Sequence, residues 1–154
     1  MADDGTQADA ATETKALQDA VAAEHVAVWG YGVVGAALPV ESRAPVAGAE
    51  EAHRDLRDEL AALLTARRVA PVAAEAAYAL PFPVLSATDA AVLALTLEEG
   101  ASAAWTWVLD QATERSTREL AVTALSAAEL RAVGWRAAAG RTPVTTAFPG
   151  LPDT

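Results

Sequence analysis

A chain of 154 residues has room for one domain around a single core, and with 41 alanines against 9 glycines its intrinsic propensity favours helix. Eleven Lys and Arg against 21 Asp and Glu give a formal charge of −10, so counterion release from a phosphate backbone cannot drive binding, and no nucleic acid is expected as a partner. The absence of cysteine excludes disulfides, thiolate nucleophiles and thiolate metal sites, which leaves oxygen and nitrogen as the only metal donors.

Residues 1–11 are acidic and polar, without the basic start or apolar run of a targeting peptide, and are expected to form a disordered tail. A cytoplasmic location follows by default. No window of 18 apolar residues lacks a charge, so no membrane span is expected. The folded unit is then 12–140, with 141–154 as an extended tail packing back on it.

The first helix is expected from Leu17 to Leu38, where Pro39 ends it. Its inward stripe is Leu17, Val21, Glu24, Val28, Tyr31, Gly35 and Leu38, so a carboxylate stands in the middle of an apolar face. Ionised carboxylates are almost never buried without a partner. Gly30, Gly32 and Gly35 each cost roughly 1 kcal/mol relative to alanine within a helix, which points to close approach by another element or to an early helix end.

Pro45 suits the first turn of a second helix running to Arg68, with Val46, His53, Leu56, Leu60, Leu63 and Leu64 inward. Residues 69–86 contain Pro71, Pro81 and Pro83 and lack a sustained period. Extended, such a connection reaches roughly 55 Å, more than the ~33 Å of a helix of about 22 residues, so it can cross the whole bundle.

A third helix is expected from Ser86–Asp89 to Ala112, apolar nearly all round. Trp105 and Trp107 are two positions apart and point about 200° away from each other, so one must face outward. Flanked by Leu93, Leu97 and Val108, it would form an apolar patch that predicts a homodimer through this helix. The pattern Ser116-Thr117-Arg118-Glu119 predicts a capping box opening the fourth helix, and Gly140 followed by Pro143 closes it.

Two helical hairpins joined by one long crossover connection are the topology of a ferritin-like four-helix bundle, an all-α fold. Di-iron bundles of that kind use one Glu on each of two helices and a Glu-x-x-His pattern on each of the other two. Glu24, Glu50 with His53, Glu98 and Glu129 supply most of that set, but Ala132 stands where the second histidine belongs. Carboxylates and imidazole suit iron or another divalent metal.

The levels fit unevenly. Glu24 lies roughly 22 Å before Pro39, whereas Glu50 and His53 lie roughly 8 and 12 Å after Pro45, a mismatch of about 10 Å unless the first helix ends near Gly35. Glu24 with His53 survives better than Glu24 with Glu50. Glu98 and Glu129 share a level across the second turn, and Arg131 shares it too, so a Glu98–Arg131 ion pair would satisfy the acid without metal. Two readings therefore stand side by side: a carboxylate and histidine metal site, and a metal-free structural or protein-interaction bundle in which Glu24 bonds His53 or Tyr31. No phosphate loop, nucleophile elbow or paired histidines at i and i+4 point to other chemistry.

Short motifs run through the chain in order: Ala23-Glu24-His25 with Tyr31-Gly32, His53-Arg54 to Arg57-Asp58, Tyr78 to Pro83, Leu97-Glu98, Trp135, and Ala147-Phe148-Pro149-Gly150-Leu151. With them, residues 15–151 resemble an actinobacterial ferritin-like domain family of unknown function. The resemblance implies that a metal site should be tested, and it selects Glu98 over Glu99 as the inward acid, a choice that periodicity barely decides.

Overall fold

A computed structural model describes residues 3–152 and shows an all-α four-helix bundle. The helices are α1 (Asp3–Ala37), α2 (Ala44–Ala66), α3 (Ala87–Gln111) and α4 (Arg115–Ala138), with a 3-10 turn at Val40–Ser42 between the first two. α1 packs against α2 and α3, and α3 against α4. Helix α1 is antiparallel to both neighbours: its Glu13 meets Arg67 past the end of α2 and Thr113 past the end of α3, while its Glu24 meets His53 of α2 and its Tyr31 meets Glu98 of α3.

The chain leaves α2 beside the Glu13 end and must start α3 at the opposite end. The connection from Arg67 to Ser86 makes that crossing along α1. The Gln18 side chain clamps its first part, donating to Ala70 O and accepting from Val72 N, both at 2.7 Å. Further along, His25 bonds Val72 O at 3.1 Å, and Trp29 meets Tyr78 edge-on with ring centroids 5.8 Å apart.

Two apolar clusters fill the interior. One gathers Ala16, Leu17, Val21, Leu60, Leu64 and Trp105 at the Glu13 end, and the other gathers Tyr31, Val34, Leu38, Val46, Leu93 and Trp135 at the opposite end. Helix α4 faces them with Ala121, Ala124, Ala128 and Ala132, small residues that let it approach closely. The stripe on α1 is as expected at Leu17, Val21, Glu24, Tyr31 and Leu38, but Ala27 and Val34 complete it instead of Val28 and Gly35. Gly30 does mark close packing, since an added Cβ would stand 2.6 Å from a Leu97 methyl.

Several expectations need correction. The segment 1–11, expected to be disordered, is helical from Asp3 onward, the first two residues lying outside the described range. Its alanines and lack of proline extend α1 as an exposed stalk beyond the bundle. Over Gln7–Ala37, α1 is also long and apolar enough, at a mean hydropathy of 1.2, to cross a bilayer on length and composition alone. In the bundle that apolar face is spent on the core.

Trp105 is buried and Trp107 is 44% exposed, as two positions on opposite sides of a helix require. Leu93, Leu97 and Val108 are buried with Trp105, however, so they do not flank Trp107 in the surface patch from which a homodimer was expected. The Ser116–Glu119 capping box is not used either. Helix α4 starts two residues earlier than that box requires, at Arg115 with Glu114 as its N-cap, and Glu119 pairs with that arginine.

The helix ends show a further contrast. After α4, Arg141 N–H bonds Arg136 O and Gly140 N–H bonds Ala137 O, with Gly140 at φ +68, the left-handed stop that glycine adopts without cost. After α2 the same double bond forms from Val69 to Leu64 and from Arg68 to Thr65, but its left-handed residue is Arg68, at φ +61. A Cβ in that region costs about 1 kcal/mol. Arg68→Gly should therefore raise stability by about 0.5–1 kcal/mol, read as a higher midpoint in urea unfolding with unchanged slope. A lower midpoint would show that the Arg68 side chain matters more than its backbone.

Candidate functional site

Between the two apolar clusters lies a polar layer. Glu24 of α1, His53 of α2 and Glu98 of α3 are all fully buried, and their side chains meet. His53 Nδ1 is 2.6 Å from Glu24 Oε2, and its Nε2 is 3.2 Å from Glu98 Oε1. Each ring nitrogen thus faces a carboxylate, an arrangement in which the doubly protonated ring donates both ways.

Each acid has further donors. The Trp105 indole N–H donates to Glu24 Oε1 at 2.8 Å. Glu98 Oε1 also accepts from the Tyr31 hydroxyl and from Arg131 Nε, the latter at 2.8 Å, and the Trp135 indole N–H donates to the Tyr31 oxygen at 2.8 Å. Tyr31 stacks on the His53 ring at 5.5 Å between centroids. Among the described residues, Glu98 Oε2 and Arg131 Nη2 are buried without a protein partner.

The Glu24–His53 contact forms even though α1 does not end early at Gly35. Glu24 lies 13 residues before Ala37 and His53 lies 9 after Ala44, which leaves an axial offset of about 6 Å. Two extended side chains span that.

Electrostatics follow from the geometry. Burial alone would lower the pKa of His53, but the Glu24 and Glu98 carboxylates outweigh it and raise it to about 9. Burial alone would raise Glu98, and the His53 and Arg131 donors hold it below the usual carboxylate range. Burial and the Glu98 carboxylate push the Tyr31 hydroxyl up, so it stays protonated and donates. Two carboxyl groups, an imidazole and a guanidinium thereby meet in one largely buried cluster.

The other acids singled out in the sequence do not join it. Glu50 pairs along its own helix with Arg54 at 2.5 Å, on a partly solvated face. Its place nearer the start of α2 puts it one turn past the layer. Glu129 accepts from Ser102 Oγ at 2.6 Å and faces Arg136 at 3.4 Å, one turn from Glu98 toward the C-terminal tail. Glu99 is exposed and bonds Arg136 at 3.2 Å. Among the described residues, no group of three or more His, Cys, Asp and Glu side chains is arranged to hold a metal ion.

A third buried acid was not singled out in the sequence. Glu13, 1% exposed, accepts from Arg67 at 2.6 Å, from Thr113 N and Oγ1 at 2.6 Å, from Glu114 N at 3.2 Å and from Thr117 Oγ1 at 2.8 Å. It thus ties the end of α2 and the turn between α3 and α4 to α1. Burial opposes its ionisation, but the Thr113, Arg67 and Thr117 donors win and lower its pKa to about 2.

Comparison with other proteins adds a family and a solved relative. The family described as domain of unknown function (DUF4439) matches residues 16–153. The crystal structure of a conserved hypothetical protein, rv2844, from Mycobacterium tuberculosis superposes with a TM-score of 0.81 at 38% identity, covering 82% of this chain and 96% of that one. No curated protein matches the chain significantly.

The two buried sites have opposite pH signatures. A folded pKa near 9 for His53, raised from an ordinary value near 6.5, contributes stability that is complete below about pH 6.5 and lost as pH rises through 9. That difference is worth about 3 kcal/mol, so urea unfolding of the wild type should weaken across this window while His53→Gln shows a flatter profile. Parallel profiles would remove His53 as the cause. Glu13 acts the other way: its depressed pKa contributes stability present above about pH 4.5 and lost as pH falls toward 2. Glu13→Gln should lose about 3 kcal/mol at pH 7 and converge on the wild type at pH 2; a constant gap at all pH values would make the loss one of packing.

Proposed function

This chain belongs to the DUF4439 family, a domain of unknown function, and we propose that it is a ferritin-like bundle whose buried acids are neutralised by its own side chains, serving as a structural or protein-interaction module without a bound metal. One observation carries this reading: both nitrogens of His53 face carboxylates, and the guanidinium of Arg131 sits on Glu98 where a cation would otherwise be needed. A metal takes imidazole only through a free lone pair, so it would have to displace a proton that this ring holds up to about pH 9. It would also have to share Glu98 with a fixed positive charge. The residues as they stand do not fit an iron or manganese centre, and no chemistry through such a group is derived from them.

The topology supports the ferritin-like relationship. Two antiparallel hairpins are joined by a crossover that runs along α1, and Glu24, His53 and Glu98 project inward from three facing helices, as the ligands of that fold do. Ala132 supports the absence of the second histidine, because it is fully buried and leaves no donor at that corner.

Elemental analysis of protein purified without chelator or affinity metal should find iron, manganese and zinc all well below one equivalent. One or two equivalents of any of them would overturn the reading. Arg131→Gln sharpens the test, since it leaves Glu98 short of charge: we expect a stability loss of about 3 kcal/mol and no gain of metal. A metal centre would respond in the opposite sense, because removing a competing cation would raise metal content.

A further inference from the structure

On the far side of α1 and α3 from the polar layer, a cleft of about 280 Å³ lies beneath the crossover. Val26, Leu93 and Leu97 form its floor, while Trp29 and Tyr78, set edge to face, form one wall. The segment Tyr78 to Pro81 closes it from above, with Leu80 partly exposed at the rim.

Small residues hold this space open. Ala23, Ala79, Gly100 and Ala101 all line it, so several positions that could carry a larger side chain carry none, while Gly30 is held small by the Leu97 methyls packed on it. Gly100 stands at the exposed edge of the cleft, and a Cβ built there meets nothing within 4 Å. Glycine in mid-helix costs about 1 kcal/mol relative to alanine, and here no crowding requires it.

The lining also sets the chemistry of an occupant. No charged side chain borders the cleft, and its one aliphatic hydroxyl, on Thr96, is already used on Val92 O of its own helix. A charged ligand would lose its hydration without gaining a partner, and an anion would meet a protein of net charge −10 besides. Size narrows the class further. An apolar cavity of about 150 Å³ accommodates benzene, so the space here suits a molecule of two fused rings. We infer that the cleft between α1, α3 and the crossover is a binding site for a small, uncharged, flat apolar molecule of about two aromatic rings.

Indole is the probe, titrated to 2 mM into the full chain and followed by amide chemical shifts. Saturable shifts should appear at Gly30, Ala79 and Gly100 with a Kd on the order of 0.1 mM, as expected for a ligand of about nine non-hydrogen atoms. Indole-3-acetate, of the same shape but anionic, should bind at least tenfold more weakly. Gly100→Leu fills the space and should weaken indole binding at least tenfold, while its thermal midpoint stays equal to or above that of the wild type. Absence of saturable shifts, shifts confined to other parts of the bundle, or undiminished binding by a folded Gly100→Leu variant would each overturn the site. Equal binding of the anion would overturn the assigned ligand class. If the variant does not fold, the location of the wild-type shifts decides.

Discussion

Two carboxylates buried at the middle of a helical bundle remain ionised only if donors and positive charge are brought to them, and every helix here answers that demand. Helix α1 supplies Glu24 and the Tyr31 hydroxyl, α2 supplies His53, α3 supplies Glu98 and Trp105, and α4 supplies Arg131 and Trp135. Such a network adds little net stability over a well-packed apolar layer, but removing one partner from it costs several kcal/mol. Its consequence is therefore register. Sliding one helix by a turn would keep apolar residues against apolar residues, yet would strand a charge.

The same demand explains what could be read from the sequence. Glu24 stood out because an acid inside an apolar stripe has few explanations, and His53 followed because it shares the inward face of α2 with Val46 and Leu60. Arg131 was visible only as a competitor at the right level, and the roles of Trp105 and Trp135 as donors were hidden by their apolar bulk. Glu13 stayed illegible for a different reason. It sits next to an acidic segment, and its partners lie 54 to 104 residues away, at Arg67, Thr113 and Thr117. The local Ser116–Glu119 pattern offered a cap for α4, but the helix begins before it, at Arg115, and Glu119 pairs with that arginine instead. The end of α2 was misplaced to Arg68 because the left-handed stop there carries no glycine to announce it.

Small residues do two kinds of work in this bundle. On α4 the alanine stripe brings the helix close enough for Arg131 to reach Glu98 while its neighbour Ala132 stays fully buried. Across α1 and α3, Gly30 lets Leu97 seat against the α1 backbone, and Glu98, the next residue, is thereby turned toward His53. The cleft beneath the crossover and the polar layer are thus opposite faces of the same close approach. Bulk added at Gly30 would press on Leu97 and through it on Glu98, whereas bulk at Gly100 meets open space.

Helix α2 shows why the charges matter to the assembly of the whole. It lies closest to α1, and its specific ties to the second hairpin are polar: His53 to Glu98 at mid-height, and Arg67 to Thr117 and Glu114 at the end. One tie depends on an imidazolium and the other is ordered by the Glu13 carboxylate that Arg67 shares with Thr117. Alkali weakens the first and acid weakens the second, each by removing a charge that the interior cannot hold alone. The apolar clusters at either end have no such dependence. They hold α2 in contact with the bundle, and the two charged ties decide at which height and facing which neighbours it sits.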